Sequence, residues 1–314
     1  MTVLNVSCAA EGDYVFHSAA MLHSVISGNP SDEVHIHYLH GPDLSAHTRS
    51  QLAHMVEQAG GALTFLEIPD AWCAGLPTAG FTRKATWYRI FLPQVLPDVE
   101  QILYLDADAI VVESLRSLWD LDLSEQYVAA VTNVFEPHFA YRPAELGLAG
   151  PHAYFNAGVL MMNLDLMRRD GCTDALLAYA TAHEQLLWRD QDALNVVLGH
   201  RRLPLHPRWN CMNSVLLFPW SAEVFGTEAV SEARARPAIR HFEGPSVNKP
   251  WHYLCALEHR DLYFRHRRQT PWPRARIEGR TPRNVWERLR WRMQGRAGRS
   301  GTVPGGPTPS VLDR

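Results

Sequence analysis

The sequence predicts an α/β domain built around a mainly parallel β-sheet. Short apolar runs that suit strands alternate with longer segments in which apolar residues recur at helical spacing, as in parallel sheets with crossover helices. Two aspartates follow one of the apolar runs directly. Because ligands of such sheets bind beyond the carboxyl ends of the strands, the sequence predicts a binding site at that edge.

The predicted elements follow one another without an internal repeat. Residues 34–39 alternate polar and apolar side chains, which is the period of a strand, and Gly60 with Gly61 ends the helix that precedes the third strand. The predicted strands are residues 3–10, 34–39, 62–68, 101–105 and 157–163, and the predicted helices include residues 19–26, 44–58, 174–184 and 192–198.

The composition is that of a folded chain. Of the 314 residues, 46% are hydrophobic and 20% charged, which excludes wholesale disorder, and no apolar run is long enough for a membrane-spanning helix. The first residues carry no basic segment and are interrupted by Glu11 and Asp13, so we expect no signal peptide. Five scattered cysteines without a CxxC motif favour a reduced, cytoplasmic protein without a thiolate zinc site.

Charge is distributed unevenly along the chain. Residues 1–264 carry 17 basic and 30 acidic residues, a net charge of −13, whereas residues 265–300 carry 12 arginines and two glutamates, a net charge of +10. We therefore predict a main domain over residues 1–262 and an arginine-rich tail over residues 263–314, with a disordered Gly/Pro end after Arg296.

The tail contains one predicted amphipathic helix, over residues 283–294. Trp286, Leu289 and Met293 fall on one helical face, and arginines dominate much of the rest. Such a helix suits an anionic membrane surface, and it also suits packing on the acidic body or a solvated tail. The sequence leaves these alternatives open.

The segment YLDADAIVV, residues 104–112, places Asp106 and Asp108 at the end of an apolar strand. Side chains two residues apart share one face of a strand, so both carboxylates can converge on one divalent cation. Carboxylate oxygens suit magnesium or manganese, and such an ion can neutralise a diphosphate. The alternative is a solvated turn that happens to carry two acids.

The segment HFEGPSVNKPWH, residues 241–252, offers complementary groups. His241 can supply an imidazole ligand, which favours manganese over magnesium, and Lys249 can supply a positive charge for phosphate. Gly244 permits a close approach of the backbone. Taken alone, a histidine beside phenylalanine is also typical of a purely structural residue.

Two further segments carry polar side chains at the ends of predicted elements. In YFNAGVLMMNL, residues 154–164, Asn156 and Gly158 stand at the entry of an apolar strand, where a carboxamide can meet a ligand hydroxyl. In RDQDALN, residues 189–195, the cluster Asp190, Gln191 and Asp192 stands at a helix N-terminus. Capping explains one of these acids but not the whole cluster.

Together and in this order, the four segments resemble the retaining glycosyltransferases of family 8, which include bacterial lipopolysaccharide galactosyl- and glucosyltransferases and, more distantly, glycogenin. The resemblance extends from Val3 to Trp251. It includes the start AAEGDYVFHSAAMLHSV and the segment RKATWYRIFLPQVLP, residues 83–97, which looks like the arginine-bearing helix of the family. It implies a GT-A fold, with a Rossmann-like, mainly parallel or mixed sheet flanked by helices.

The resemblance also implies the ligands. These are a UDP-sugar donor, UDP-glucose or UDP-galactose, and a manganese ion, with magnesium as the alternative. Asp106 and Asp108 would bind the metal, with His241 as the third protein ligand. The residues expected at the nucleotide-sugar are Ala10, Glu11, Asp13 and Tyr14 at the nucleoside, Ala107 between the metal ligands, Arg89, Asn156, Ala157 and Asp190 at the sugar, and Gly244 and Lys249 at the diphosphate.

The same resemblance assigns catalysis to Asp190 and Gln191, with Gln191 on the face of the anomeric carbon where a double-displacement nucleophile is expected. Two departures from the family pattern stand out. Lys249 lies five positions after Gly244 where the family commonly has three, and Glu11 and Asp13 replace the usual Asp and Asn.

The predicted function is therefore transfer of a hexose to a hydroxyl of a saccharide or lipid-linked acceptor by a cytoplasmic enzyme, peripheral on the inner membrane face if the tail binds lipid. Nucleic acid is not an expected partner. Alternatives are a self-glycosylating primer with Tyr141 or Tyr253 as acceptor, a nucleotide-sugar-binding protein without transfer activity, and, more remotely, a metal-dependent phosphohydrolase.

Overall fold

A computed structural model describes residues 2–78, 84–183 and 185–293. A seven-stranded sheet with strand order β3-β2-β1-β4-β7-β6-β8 forms its centre, and β5 pairs with β9 in a separate two-stranded ribbon. The strands are β1 Val3–Ala9, β2 Glu33–His40, β3 Ala62–Glu67, β4 Gln101–Leu105, β5 Ala109–Val111, β6 Val128–Thr132, β7 Phe155–Asn163, β8 Arg202–Pro204 and β9 Ile239–His241.

Helices cover both faces of this sheet. The α-helices are α1 Tyr14–Gly28, α2 Ala46–Gln58, α3 Leu92–Val95, α4 Arg116–Trp119, α5 Arg142–Glu145, α6 Leu164–Arg169, α7 Cys172–Ala182, α8 Asp190–Leu198, α9 Asn213–Leu217, α10 Ser221–Phe225, α11 Thr227–Ala235, α12 Arg260–Arg267 and α13 Pro282–Met293. Short 3-10 turns lie between them, among them Tyr88–Phe91, Pro207–Asn210 and Ser246–Asn248.

The sheet is mixed, with a parallel half and an antiparallel insertion. Strand β1 runs parallel to β2 and β4, and β2 runs parallel to β3. Strand β7 is antiparallel to both β4 and β6. The predicted α/β class with a mainly parallel or mixed sheet is confirmed, and β7 brings its N-terminal end to the edge where β1 and β4 end.

Local sequence explains where several elements begin and end. The Ser45 hydroxyl accepts the backbone N–H of Thr48 and so starts α2, while Gly60, with φ +89°, turns the chain after it. Helix α1 begins at Tyr14, before the predicted residue 19, and α8 begins at Asp190. The expected arginine-bearing helix is instead a 3-10 turn, Tyr88–Phe91, followed by the short α3.

The predicted boundary after residue 262 falls inside helix α12. Leu262 and Tyr263 of this helix are buried, and the Tyr263 hydroxyl lies 2.6 Å from His17 Nδ1 on α1. The chain beyond α12 also contacts the body, since the Glu278 backbone N–H donates to the carbonyl of Trp251. Residues immediately after 262 therefore pack on the main domain.

The end of the predicted tail lies partly outside the described residues. Helix α13 covers nearly all of the predicted amphipathic helix, but residue 294 and the Gly/Pro segment after Arg296 are outside the part of the chain that the structure describes. Within the described ranges, no helix combines the length and the apolar character needed to cross a bilayer.

Strand β7 approaches the β5–β9 ribbon most closely at Gly158. The Gly158 carbonyl accepts the backbone N–H of Asp106 at 2.8 Å. A Cβ atom at position 158 would lie 2.8 Å from Asp106 Oδ2 and 2.9 Å from His241 Nε2, with His241 Cε1 closer still. Glycine is therefore required here by the packing of three chain segments, since β7 itself has ordinary strand geometry.

We expect Gly158→Ala to destabilise the protein by about 1–3 kcal/mol, because the added methyl group must push the Asp106 and His241 side chains apart. Thermal unfolding followed by circular dichroism measures the effect. Gly199→Ala is the matched control, since Gly199 has φ −61° and no atom within 4 Å of its Cβ position. Equal melting temperatures for the two variants would contradict the packing argument.

Candidate active site

One cleft collects most of the residues that the sequence singles out. It lies where β1 and β4 end and β7 begins, and encloses about 1090 Å³ including its open mouth. The predicted residues that line it are Ala10, Glu11, Tyr14, Arg89, Asp106, Ala107, Asp108, Ala157, Asp190, Gln191 and Lys249. Asp13, Asn156, His241 and Gly244 are not among the lining residues.

Asp106, Asp108 and His241 form a compact cluster. One ligand atom from each lies within 4.8 Å of the others, the only such grouping of three or more metal-binding side chains among the described residues. The two aspartates occupy the turn between β4 and β5, closed by the Ala109 N–H on the Asp106 carbonyl, and so do not share a strand face as predicted. The turn, together with β9, brings the three side chains together.

Hydrogen bonds fix the imidazole of His241 in the orientation that a metal ligand needs. Asn210 Nδ2 donates to Asn156 Oδ1 at 2.8 Å, which leaves Asn210 Oδ1 to accept a proton from His241 Nδ1 at 2.9 Å. His241 Nε2 then faces Asp108 Oδ1 at 3.3 Å and Asp106 Oδ2 at 3.8 Å. Burial alone would lower the pKa of the His241 imidazole, but the charge of Asp108 outweighs burial and raises it. Two carboxylates and an oriented imidazole fit manganese or magnesium.

Lys249 lies against this cluster. Its ammonium group contacts Asp108 Oδ2 and donates to the Phe242 carbonyl at 3.0 Å. Burial alone would raise the pKa of the Asp108 carboxyl, but the charges of Lys249 and His241 outweigh burial and hold it well below its usual range. Despite the longer loop after Gly244, the lysine therefore reaches the metal ligands, because Gly244 at φ +93° and the turn Ser246–Asn248 fold the loop back.

Arg89 connects the metal cluster to helix α8. Its guanidinium group is 4% exposed and lies 3.0 Å from Asp106 Oδ1 and 3.2 Å from Asp190 Oδ2, and it also donates to the Ala157 carbonyl. Burial alone would lower the pKa of Arg89, but the neighbouring carboxylates outweigh it and raise the pKa. Arg89 is therefore permanently charged and holds both carboxylates in place.

Asp190 and Gln191 enter the cleft from the first turn of α8. The residue before them, Arg189, has φ 45° and ψ −110°, a conformation that non-glycine residues rarely adopt. Burial raises the pKa of Asp190 to about 6, even though Arg89 acts in the opposite direction. Gln191 Oε1 accepts the Ala157 backbone N–H at 2.9 Å, so the side chain lies against β7.

A buried asparagine holds α8 in register with β7. The Asn195 side chain accepts the Phe155 N–H at 2.6 Å and donates to the Phe155 carbonyl and to the Gln191 carbonyl. The side chain thus forms with Phe155 the same pair of hydrogen bonds that the backbone of a neighbouring strand would form. Sequence reasoning gave no role to Asn195, which ends the segment RDQDALN, or to Asn210, because their partners on β7 and β9 are distant in sequence.

Three of the four residues expected at the nucleoside line the cleft, and one does not. Ala10, Glu11 and Tyr14 line the cleft, and the Tyr14 ring meets the edge of Trp251 at 5.4 Å between ring centroids. Asp13 is exposed at the start of α1 and does not line the cleft. The lining residues that sequence reasoning missed are Ala9, Ala85, Thr86, Tyr104, Leu187, Trp188 and Arg189.

Known proteins are similar to this chain in sequence and in fold. General stress protein A of Bacillus subtilis is 28% identical over 277 residues, which cover 86% of this chain and 95% of that protein. The lipopolysaccharide 1,3-galactosyltransferase of Salmonella typhimurium is 22% identical over 275 residues, covering 85% of this chain and 79% of that protein.

A crystal structure of the galactosyltransferase LgtC in complex with donor and acceptor sugar analogs superposes with a TM-score of 0.76 and 26% identity, covering 85% of this chain and 96% of that one. The profile of glycosyl transferase family 8 matches residues 5–255, most of the chain. With the four segments around one cleft and this match across them, the chain belongs to glycosyl transferase family 8.

Proposed function

We propose that the protein is a metal-dependent, retaining hexosyltransferase that moves glucose or galactose from a UDP-sugar to a hydroxyl of a saccharide or lipid-linked glycan. The observation that supports it best is the arrangement within one cleft. The metal-ligand cluster and Lys249 lie on one side, Asp190 and Gln191 lie on the other, and Arg89 joins the two.

The charges match the demands of such a reaction. Breaking the bond between sugar and phosphate leaves negative charge on the diphosphate, and Lys249 is placed to stabilise that charge. A divalent cation held by Asp106, Asp108 and His241 would supply Lewis-acid stabilisation of the same leaving group. The imidazole ligand favours manganese over magnesium.

The sugar side of the cleft supports transfer with retention of configuration. Gln191 stands where a double-displacement enzyme would place a carboxylate, and a carboxamide is a poor nucleophile. Asp190 is paired with Arg89, and Asp192 is fully buried. We therefore favour attack of the acceptor on the face from which UDP leaves, with the departing phosphate accepting the acceptor proton.

We further propose that the catalytic body continues beyond residue 262 through α12 to about residue 279, and that α13 anchors this cytoplasmic enzyme at the inner membrane face. Trp286, Leu289 and Met293 of α13 are 61%, 49% and 78% exposed. The opposite side of the helix contacts the body, where Arg288 donates to the Tyr253 carbonyl. The apolar face is thus free to meet lipid, with exposed arginines beside it.

Metal removal tests the first part of the proposal. We expect excess EDTA to abolish transfer and manganese to restore it best, and Asp108→Asn to lower kcat at least about 100-fold, because a direct ligand matters more than the outer-shell partners of a metal site. Transfer of radiolabelled hexose measures the effect. Asp174→Asn, in the exposed first turn of α7, is the control. Full activity in excess EDTA would contradict the proposed metal dependence.

Product stereochemistry tests the second part. We expect an α-linked UDP-hexose to give an α-linked product, and Gln191→Ala to lower kcat without changing the Kd for UDP, because its proposed contact is with the sugar. Anomeric NMR couplings and titration calorimetry provide the two readouts. Gln185→Ala, an exposed glutamine just before α8, should behave as wild type. A β-linked product would exclude the proposed mechanism.

Vesicle binding tests the role of α13. We expect the triple substitution Trp286→Ser, Leu289→Ser and Met293→Ser to weaken co-sedimentation with anionic vesicles, since it removes apolar area that salt cannot screen. Because these side chains are exposed, the melting temperature should stay unchanged.

Binding of the wild-type protein to such vesicles should also weaken as salt rises. Trp72→Ser with Val112→Ser, which replaces two exposed apolar residues of the body, is the control for the triple substitution. Equal vesicle binding by the triple variant and this control would refute the membrane role.

A further inference from the structure

A line of hydrogen bonds connects the metal cluster to helix α8. His241 Nδ1 donates to Asn210 Oδ1, and Asn210 Nδ2 donates to Asn156 Oδ1. Asn156 Nδ2 donates in turn to Gln191 Oε1 at 3.3 Å. Each amide in this line receives a hydrogen bond on its oxygen and gives one from its nitrogen, so all the bonds point from β9 toward α8.

The line continues into a fully buried cluster beneath the cleft. Gln191 Nε2 donates to the Tyr154 hydroxyl oxygen at 3.2 Å, and the Tyr154 hydroxyl donates to Asp192 Oδ1 at 2.7 Å. The other oxygen of Asp192 accepts from Arg142 Nη2 at 2.5 Å and from the Trp188 backbone N–H at 2.9 Å. Tyr154 and Asp192 are both 0% exposed.

Asp192 fixes the hydroxyl proton of Tyr154 at one end of the line. A carboxylate paired with Arg142 has acceptors only, so the Tyr154 hydroxyl must donate its proton to Asp192. The Tyr154 oxygen can then accept from Gln191, which must turn its Nε2 toward Tyr154. In the opposite orientation of the Gln191 amide, Nε2 would face the backbone N–H of Ala157, and two donors would confront each other.

The phenol of Tyr154 suits this role because it keeps its proton. Burial raises the pKa of Tyr154 well above its usual value, and the charge of Asp192 raises it further. Tyr154 therefore keeps its proton near neutral pH, where it donates to Asp192 and accepts from Gln191. The hydroxyl thus links the charged Asp192 to the uncharged Gln191 amide.

We propose that Tyr154 is a positioning residue for hexosyl transfer: held by Asp192, its hydroxyl anchors the Nε2 end of the Gln191 amide, while the Ala157 backbone N–H anchors the Oε1 end. Its effect on turnover rests on the proposed function, whereas its effect on the Gln191 side chain does not. Without the Tyr154 oxygen, Gln191 Nε2 loses this hydrogen bond, and the side chain is held only through Oε1.

Tyr154→Phe removes this oxygen and keeps the aromatic ring, whose packing on Phe135 and Trp188 is unchanged. Tyr127→Phe is the matched control, because Tyr127 is also buried and also donates to a carboxylate, Asp170, at 2.8 Å. Any general cost of losing a buried phenol hydroxyl appears in both variants as a lower melting temperature.

The first measurement is NMR of the metal-free and donor-free protein. The side-chain amide resonances of Gln191 are identified by their absence in Gln191→Ala. We expect Tyr154→Phe to shift the Gln191 resonances and speed their hydrogen exchange, because Nε2 loses its acceptor. Tyr127→Phe should change none of these signals.

The second measurement is a double-mutant cycle on transfer from a UDP-hexose. We expect Tyr154→Phe to lower kcat about tenfold, as is typical for partners of ligand-orienting groups, with the donor KM within about twofold of wild type. In the Gln191→Ala background, the same substitution should change kcat by less than about twofold, because its target is gone.

Two results would overturn the proposal. Unchanged Gln191 resonances in Tyr154→Phe show that the hydroxyl does not position the amide, and equal losses of kcat in both backgrounds assign Tyr154 a structural role only. If the wild-type protein transfers no hexose from any UDP-sugar, the proposed function fails, and the NMR comparison still decides whether Tyr154 positions Gln191.

Discussion

The guanidinium group of Arg89 is the interaction on which the rest of the site depends. It lies at the junction of β4, β7 and α8, and contacts Asp106 just after β4, the Ala157 carbonyl of β7 and Asp190 of α8. Without this cation, the carboxylates of Asp106 and Asp190 would lack a buried counter-charge. Because one planar cation contacts all three segments, it holds the Asp–Asp–His cluster and the first turn of α8 at a fixed separation.

Lys249 supplies a positive charge beside the candidate metal cluster, as Arg89 does at the centre of the cleft. Its contact with Asp108 balances a carboxylate that is only 6% exposed. The three aspartates of the cleft thus share two fixed cations, since Asp106 and Asp190 both contact Arg89 and Asp108 contacts Lys249.

Hydrogen bonds between uncharged side chains hold the rest of the site in place. Asn210, Asn156 and Gln191 are amides whose two ends differ, and each is held by partners on both sides. These amides link Asp192 to His241 by hydrogen bonds without placing a further charge in the protein interior. Gly158 makes this possible, because only a residue without a side chain lets β7 approach β9 closely enough.

The sequence by itself determined the α/β class, the positions of β1, β2, β3, β4 and β7, and the three residues of the candidate metal cluster. Those features are local, since strand burial leaves a run of apolar residues and the aspartate pair stands within one short turn. The exact start of α8, which places Asp190 and Gln191 inside a helix, and the irregular turns around Arg89 were decided by tertiary packing.

Sequence reasoning assigned no role to four residues that hold the site together: Asn210, Tyr154, Asn195 and Arg142. Each contacts residues that the chain brings close only after folding. The same reason explains the boundary predicted after residue 262. The change in charge is a property of the sequence, but Leu262 and Tyr263 are buried on α1, so the packed body extends past it. Charge and hydrophobic pattern can be recognised within short segments of the sequence, whereas contacts between distant segments form only when the chain folds.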